Sequence, residues 1–417
     1  MKVIVLGAGV VGVATAYHLA QAGCEVVVID RQAAAASETS YGNAGLITPG
    51  DSFAWASPAA LKTFINSLFN PDLGIKVKLR WDPRFFAWTL RFLTECTKQK
   101  SQNNTLKKLR LAVYAREQMQ QIAEHTHIDF NRTQQGVLYF YRSEQTLAHG
   151  VEHMQFMADQ GLPIEVLDRQ QIVALDPGFK GSADKIAGGI LCTIDQTGDS
   201  CRFSRELAAW STKHQKVQFN WQTTIQNFET QNDKVTAVIT DHGRFIADAF
   251  IMTAGCDSPL LLEKIGVKLP LYPVKGYSIT APILDPEQAP TIGGVDDDRL
   301  IAYSRLGDRL RVACTAEFAG YDRSYKPADF RALLATIKEL FPQGADYDKA
   351  EYWAGLRPMM PSSVPVLGRT RRFSNLLLNT GHGHVGWTMS CGSGKVVTDL
   401  LLQRKPDIDT SGLIFQG

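Results

Sequence analysis

Two short apolar runs open the chain, separated by a longer apolar segment. Lys2–Leu6 and Glu25–Ile29 are rich in β-branched residues and predict two buried strands. Val10–Ala22 is alanine-rich and ends at Gly23, which predicts a helix. The run 37–50 is rich in Gly, Ser, Thr and Asn and predicts a loop. The chain therefore begins with a strand–helix–strand unit followed by a long polar loop.

Helical periodicity dominates residues 58–125, and short alternating or apolar runs dominate most of the rest. Further helices are predicted at Glu144–Gln160, Arg331–Leu340 and Trp387–Gln403. Strands are predicted at Gly136–Tyr141, Ile186–Leu191, Thr223–Phe228, Val235–Thr240, Arg244–Met252, Val274–Thr280, Leu300–Ser304, Leu310–Thr315 and Leu376–Asn379. The last strand is joined to the last helix by a glycine-rich loop, Thr380–Gly386.

This pattern predicts an α/β fold of two interleaved domains. We expect a Rossmann-like nucleotide-binding domain from residues 1–50, 165–268 and 354–417. The second, α+β domain is expected from residues 51–164 and 269–353, built on a mainly antiparallel sheet that receives the substrate.

Composition limits the class of protein. The 417 residues carry a formal net charge of +2, so no global field attracts nucleic acid. The seven cysteines are scattered and include no C-x-x-C pair, which indicates reduced thiols and a cytoplasmic location. No uninterrupted apolar run is long enough to cross a bilayer. No metal-ligand motif stands out, and no metal site is predicted.

The segment 58–110 is unusually basic. It holds eleven Lys/Arg and three Asp/Glu, a local net charge of +8. Large aromatic residues are interleaved with these charges: Phe64, Phe69, Trp81, Phe85, Phe86, Trp88 and Phe92. Two interpretations stay open. The segment is an interfacial surface for the cytoplasmic face of the inner membrane, or an amphipathic helix with solvated basic residues and core-facing aromatics.

A dinucleotide-binding fingerprint, G-x-G-x-x-G, connects the first strand to the first helix. It consists of Gly7, Ala8, Gly9, Val10, Val11 and Gly12. The first glycine permits the tight turn, the second lets the backbone approach a pyrophosphate, and the third allows close helix–strand packing. Asp30 ends the second strand, where its carboxylate can accept from ribose hydroxyls.

Three later segments favour FAD over NAD. They are the loop 38–45, the small-residue turn after the strand at 249–252, and the loop 379–386, whose helix would face the pyrimidine edge of a reduced flavin. A second phosphate loop is the competing interpretation of the last segment. Beyond the fingerprint and Asp30, the predicted cofactor contacts are Arg31, Thr39, Ser40, Asn43, Ala44, Gly45, Leu46, Ile225, Thr253, Ala254, Gly255, Gly381, Gly383, His384, Val385, Gly386, Trp387 and Thr388.

With these residues in view, the chain resembles the FAD-dependent D-amino acid dehydrogenases, within the wider D-amino acid oxidase and glycine oxidase superfamily. The most specific stretches are 38–45, 272–278, 353–358 and 378–394. The resemblance implies bound FAD and oxidation of a D-amino acid to a 2-oxo acid and ammonia. It also implies that the electrons pass to a quinone-type membrane acceptor.

The family pattern is not kept everywhere. Ser362 and Ser363 follow Pro361, where relatives more often carry an acid, and Ala313-Cys314 stands where glycines are common. These departures affect the expected substrate preference more than the expected reaction.

Four residues are candidates for work on the substrate. In the superfamily an arginine binds the substrate carboxylate, and Arg357 occupies its position; Gly355 and Pro358 predict that it lies in a rigid turn. Tyr303, or alternatively Tyr277, would make a second carboxylate contact. His382 would bind substrate or tune the flavin, unless it is structural. Hydride transfer from Cα to flavin N5 depends mainly on positioning and exclusion of water, and no general base is assigned.

Three rival functions remain open. An oxidase of the same fold would pass electrons to O2, and a secondary-amine dehydrogenase would act on D-proline or sarcosine. A flavin-binding protein without turnover is disfavoured by the position of Arg357 in an active-site motif.

Overall fold

The computed structural model describes residues 1–60, 75–77 and 81–415. In these ranges the α-helices are α1 (Val10–Gln21), α2 (Pro83–Glu95), α3 (Lys98–Thr126), α4 (Glu144–Ala158), α5 (Arg169–Leu175), α6 (Ser200–Gln215), α7 (Ser258–Glu263), α8 (Arg331–Leu340) and α9 (Gly386–Leu401). Short 3-10 turns link several elements, and two of them, Pro49–Asp51 and Gly383–Val385, border the site described below.

A six-stranded sheet carries the nucleotide fingerprint. Its strands are β1 (Lys2–Leu6), β2 (Glu25–Ile29), β9 (Gln218–Asn220), β13 (Ala249–Met252), β19 (Val366–Arg369) and β20 (Leu376–Thr380). The order is β19-β20-β13-β1-β2-β9, and every pair is parallel except β19 with β20. β1 therefore lies in the interior of the sheet, and its carboxyl end opens at the edge where such folds bind ligands.

A mixed nine-stranded sheet forms the second layer. Its strands are β4 (Ile75–Val77), β5 (Val137–Tyr141), β6 (Ile164–Asp168), β7 (Gly188–Cys192), β14 (Tyr272–Pro282), β15 (Gly293–Asp296), β16 (Ile301–Leu306), β17 (Arg309–Phe318) and β18 (Glu351–Met359). The main path is β18-β14-β17-β16-β15-β5-β7-β6, and β4 pairs with β17. Most pairs are antiparallel, while β15–β5 and β17–β4 are parallel.

Two small antiparallel sheets complete the strands. β10 (Ile225–Gln231), β11 (Lys234–Thr240) and β12 (Gly243–Ile246) form a meander, and β3 (Leu46–Ile47) pairs with β8 (Gln196–Thr197).

Apolar side chains fill the space on both faces of the six-stranded sheet. Val3 and Val5 face one cluster, with α1, α6 and α9, while Ile4 and Leu6 face another, which includes residues of the β10–β12 meander. This strict alternation along β1 explains why the strand is apolar at every position from Val3 to Leu6. The helices α1 and α9 approach closely at Gly394, where an added Cβ would lie 3.0 Å from the Thr15 nitrogen.

Several sequence predictions are confirmed with shifted ends, and some are wrong. The mixed α/β class and the opening β1–α1–β2 unit are confirmed. The predicted strand Arg244–Met252 is two strands, β12 and β13, and the region predicted as helical contains the strand β4. The helix α6 was missed, although Asp199 caps it by accepting from the Cys201 and Arg202 nitrogens.

The domain boundaries remain a prediction, but strand pairing argues for moving one of them. β6 and β7 belong to the nine-stranded sheet, whereas the prediction places residues 165–192 in the nucleotide domain. A boundary after Cys192 agrees better with the pairing.

All seven cysteines lie in the described ranges and are buried, free thiols. Among the described residues, no helix combines the length and apolarity needed to cross a membrane.

Candidate active site

The fingerprint turn between β1 and α1 has the geometry that a dinucleotide needs. Gly7 has a φ of +114°, which a side chain would strain. A Cβ on Gly12 would lie 1.9 Å from the Gly7 carbonyl oxygen, so this glycine serves packing. At the open side of the turn, the Val10 nitrogen donates to Ser40 Oγ at 3.1 Å, and Asp30 Oδ2 accepts from the Ala8 nitrogen at 2.6 Å.

One cavity of about 1030 Å³ begins at this turn and continues between the two large sheets. Of the predicted cofactor residues, those that line it are Gly7, Gly9, Val10, Val11, Asp30, Arg31, Thr39, Ser40, Asn43, Ala44, Leu46, Ile225, Thr253, Ala254, Gly255, Gly383, His384, Val385, Gly386, Trp387 and Thr388. These predicted cofactor residues, although far apart in sequence, therefore line a single cavity.

Four predicted cofactor residues do not line this cavity. They are Ala8, Gly12, Gly45 and Gly381. The backbone nitrogen of Ala8 is already bonded to Asp30, and Gly12 packs against β1. A Cβ on Gly45 would lie 2.3 Å from Ser304 Oγ, and one on Gly381 would lie 2.6 Å from Met360 Cγ. These residues lie next to the lining and not in it, and their contact with a cofactor stays a prediction.

Arg357 lies in the wall of the same cavity, on the strand β18 rather than in the predicted rigid turn. Its Nη1 donates to the Thr315 carbonyl oxygen at 2.7 Å. Its guanidinium lies over Gly276, where an added Cβ would come within 2.4 Å of three guanidinium atoms. The glycine in β14 thus makes room for the arginine head group.

A β-bulge presents the carbonyl that Arg357 uses. The pairing of β14 with β17 shifts register between Lys275 and Tyr277, so that two residues of β17, Thr315 and Ala316, oppose the single residue Gly276. Thr315 has a φ of 65°, a strained conformation for a β-branched residue. Backbone strain of this kind is concentrated at functional sites, where the surrounding structure holds it in place.

The charge of Arg357 has no acidic partner among the described residues, since its hydrogen bonds go to backbone carbonyls. Burial lowers the pKa of the Arg357 guanidinium from its ordinary value. Because an unpaired buried charge is costly, the arrangement favours an anionic ligand. A carboxylate matches the planar fork of the guanidinium.

The loop after β20 brings two histidines to the cavity in different roles. His382 is buried and its Nε2 lies 3.0 Å from Ser393 Oγ on α9, while burial lowers its pKa to about 3. The ring is therefore neutral and fixes the loop to the helix, which argues against the predicted contact with substrate. His384 stacks on Trp55, with ring centroids 4.9 Å apart. Burial holds its pKa well below the ordinary value, with Lys108 and Arg357 adding to the effect.

The structure places the two predicted tyrosines in different surroundings. Tyr277 lines the cavity, and its hydroxyl donates to Glu317 Oε2. Burial, followed by this hydrogen bond, raises the pKa of Tyr277. Tyr303 is fully buried against Phe140 and Phe341, on the opposite face of β16 from the cavity-lining Ala302. The prediction of Tyr303 as a substrate contact is wrong because its side chain lies on the face of β16 that packs into the core, away from the cavity.

Sequence reasoning missed much of the wall at the Arg357 end. The loop after β3 supplies Asp51, Phe53 and Trp55, and the bulge region supplies Cys314 and Thr315. Asp51 follows directly on the predicted loop 37–50, of which residues 38–45 were assigned to the cofactor, and this position was a usable signal.

The residues present fit a flavin dinucleotide. A Cβ on Gly9 would meet only Ser40 Oγ, at 3.5 Å, so the backbone there is open to a ligand on the cavity side. The cavity runs from the fingerprint to the N-terminus of α9 and to Arg357, which leaves space for a cofactor and a small acid together.

Comparisons with known proteins agree with this geometry. Residues 2–400 match the family model described as FAD dependent oxidoreductase. D-amino acid dehydrogenase 2 of Mesorhizobium japonicum is 53% identical over 417 residues, covering 100% of both chains. D-amino acid dehydrogenase of Paramagnetospirillum magneticum is 42% identical over 414 residues, covering 99% of this chain and 98% of that protein.

Solved structures extend the likeness in fold. Glycine oxidase from Geobacillus kaustophilus superposes with a TM-score of 0.75 at 19% identity, covering 100% of this chain and 99% of that one. L-proline dehydrogenase from P. horikoshii superposes with a TM-score of 0.74 at 15% identity, covering 99% of this chain and 96% of that one.

Proposed function

The chain belongs to the FAD-dependent oxidoreductase family, and from that premise we propose that it oxidises D-amino acids to 2-oxo acids and ammonia. The observation that carries the proposal is Arg357, a partly buried guanidinium without an acidic partner among the described residues, in the wall of the flavin cavity. The relatives named D-amino acid dehydrogenase support the choice of substrate class.

Each side chain of the site has a definable task in this reaction. Arg357 binds the substrate carboxylate, and its bond to the Thr315 carbonyl fixes the direction of the guanidinium. The aromatic residues Phe85, Trp88 and Phe92 line the cavity and exclude water from it. Bound FAD supplies the hydride acceptor for the hydrogen on Cα. Water then hydrolyses the released imino acid.

The N-terminus of α9 supports the flavin. Gly386, Trp387 and Thr388 line the cavity at the first turn of this helix. The free backbone N–H groups and the positive end of the helix dipole there stabilise negative charge that develops on reduction. Thr388 Oγ1 also accepts from the Thr48 nitrogen at 3.0 Å, which joins the helix to the loop on the other side of the cavity.

Anaerobic reduction of the flavin tests the proposal. Each member of a panel of D- and L-amino acids is mixed with the purified holoenzyme without oxygen, and bleaching of the yellow absorbance is followed. D-amino acids should bleach the flavin and their L-enantiomers should not. A panel that includes sarcosine and D-proline tests the secondary-amine alternative. Bleaching by L-amino acids alone, or by none of the panel, would refute the assignment.

For the electron acceptor we propose a membrane quinone, reached beside α2. This helix contributes Trp88 and Phe92 to the cavity wall, while its other side exposes Phe86 and Leu90. Trp81, just before the helix, is 86% exposed. An apolar outer surface next to the cavity suits docking on a bilayer. Parts of the basic segment 58–110, namely residues 61–74 and 78–80, lie outside the described residues.

Vesicle sedimentation tests the docking. The wild-type protein should bind vesicles that contain anionic lipid, and Trp81→Ser/Phe86→Ser/Leu90→Ser should bind them weakly. Ile246→Ser is the matched control, because Ile246 is exposed on the β10–β12 meander. No wild-type binding at low salt would refute docking. Rapid peroxide formation in air, with no reduction of a quinone analogue, would favour an oxidase.

A further inference from the structure

Asp51 places a second charge in the cavity that contains Arg357. It ends the 3-10 turn Pro49–Asp51, and 43% of its side chain is exposed, into the cavity. Among the described residues no group donates a hydrogen bond to this carboxylate, and His384 Nε2 is 3.8 Å from Oδ2. Arg357 and Asp51 are thus a cation and a carboxylate of the cavity wall that form no ion pair with a carboxylate, a lysine or an arginine among the described residues.

The turn that carries Asp51 is held from two sides. The Gly50 nitrogen donates to Asp195 Oδ1 at 3.0 Å, and Asp195 Oδ2 accepts from the Tyr139 hydroxyl at 2.7 Å. The Thr48 nitrogen is bonded to α9. A Cβ on Gly50 would lie 2.6 Å from Asp195 Oδ2, so the turn fits tightly against this carboxylate. The position of Asp51 is thus set by the scaffold and not by a mobile loop tip.

The groups that face Asp51 come from four elements. They are Lys108 of α3, Tyr139 of β5 with Asp195 near it, Asp297 after β15, and His384 before α9. Lys108 is fully buried and its Nζ donates to the Phe53 carbonyl oxygen at 2.5 Å. Burial raises the pKa of Asp51 to about 7, although the charge of Lys108 opposes this, and burial lowers the pKa of Lys108 to about 7.

We infer that Asp51 receives the ammonium group of the substrate and accepts a proton from it, while Arg357 holds the carboxylate. This rests on the proposed function. An amino acid carries both complementary charges on one carbon, so the zwitterion satisfies both residues of the cavity at once. In the step itself an N–H bond of the ammonium breaks, an O–H bond forms on Asp51, and the electron pair stays on nitrogen. The neutral amine then assists departure of the Cα hydrogen as hydride to FAD.

The rival role for Asp51 is recognition of a cationic side chain. The two roles separate cleanly, because D-alanine has the ammonium group but no cationic side chain. D-lactate has the same skeleton with a hydroxyl in place of the amine, and it serves as the probe for carboxylate binding alone.

The test compares Asp51→Asn with the wild type as holoenzymes. With D-alanine at pH 7, kcat/KM for anaerobic flavin reduction should fall by about 10- to 150-fold, the loss of one charge-assisted hydrogen bond. Asp51→Asn should bind D-lactate no more weakly than the wild type does, as measured by the shift of the flavin spectrum. Asp298→Asn, at another carboxylate of the cavity wall, is the matched control and should change neither value more than about two-fold.

The pH profile provides a readout that a merely structural role would not move. In the wild type, kcat/KM should fall as the pH drops and Asp51 takes a proton from solution. In Asp51→Asn the rise of kcat/KM with pH should move to more alkaline pH, where the ammonium group of the free substrate loses its proton to solvent. Asp51→Glu should retain the fall of kcat/KM at low pH, and this variant replaces Asp51→Asn in the test if the asparagine variant fails to fold.

Two results would overturn the inference. One is an Asp51→Asn variant with wild-type kcat/KM and pH profile for D-alanine. The other is a loss restricted to D-arginine and D-lysine, which would assign Asp51 to the side chain. A wild-type enzyme that no D-amino acid reduces would instead refute the proposed function.

Discussion

Replacing Arg357 by lysine tests the centre of the site. Lysine keeps the positive charge but loses the planar fork that binds both carboxylate oxygens. In the structure one side of the guanidinium is already used, because Nη1 donates to the Thr315 carbonyl oxygen at 2.7 Å. A lysine ammonium that retains this bond has no second, rigidly aligned pair of N–H groups for the substrate.

The size of the effect follows from the bond that is lost. A hydrogen bond to a charged group is worth about 1.5–3 kcal/mol, which is about 10- to 150-fold in kcat/KM. We expect most of the loss to appear in KM, because carboxylate binding is needed in the ground state as well as in the transition state. FAD content should not change, because the fingerprint end of the cavity is untouched.

The assay is anaerobic flavin reduction over a range of D-alanine concentrations, with FAD content measured on the same sample. Arg323→Lys is the matched control. Arg323 lies in the same cavity wall but pairs with Glu38 at 3.3 Å. The Arg323→Lys variant should keep kcat/KM within about two-fold of the wild type. If Arg357→Lys also keeps its kcat/KM, another residue holds the carboxylate and the reasoning is wrong.

Four further predictions concern the cofactor, the Arg357 pocket and Tyr303. Acid precipitation of the protein should release all the FAD into the supernatant, whereas yellow colour retained in the pellet would show a covalent link. Gly9→Val should yield colourless or unfolded protein, which absorbance and circular dichroism would detect. Gly276→Ala should retain FAD and lower kcat/KM, because the methyl group displaces the Arg357 guanidinium, and a wild-type rate would contradict this. Tyr303→Phe should leave kcat/KM unchanged and shift the free energy of unfolding by less than about 1 kcal/mol, towards stability, because the buried hydroxyl has no partner among the described residues.

The parts of the fold that the sequence predicts well are those set by local contacts. The β1–α1–β2 unit needs only an apolar strand, a glycine turn and an alanine-rich helix, all adjacent in the chain. Arg357 was found through a motif, yet its strand β18 was not predicted, because Gly355 and Pro358 obscure the strand pattern.

Tyr303 shows where periodicity stops being informative. The two-residue period correctly separates Ile301 and Tyr303 from Ala302, but it does not say which face meets the cavity. Residues of α8 belong to the same core cluster as Tyr303, so the face that carries the tyrosine packs into the core, while Ala302 on the other face lines the cavity. Only the packing of distant elements decides between them.

The departures from the family pattern lie at the Arg357 end of the cavity, where they bear on substrate preference. Ala313 and Cys314 line the wall on β17, next to the bulge at Thr315. Methyl and thiol groups there occupy volume that glycines would leave open. Ser363 acts indirectly: its Oγ accepts from the Trp55 nitrogen at 3.0 Å, and Trp55 lines the cavity beside His384.

These contacts connect the departures from the family pattern with the shape of the cavity beside Arg357. The wall at β17 carries Ala313 and Cys314 where glycines are common in the family pattern, while Ser363 holds the loop that contains Asp51 and Trp55. A narrower space beside Arg357 favours small or unbranched D-amino acids, and a panel of side chains of increasing width would show activity falling first at branching on Cβ.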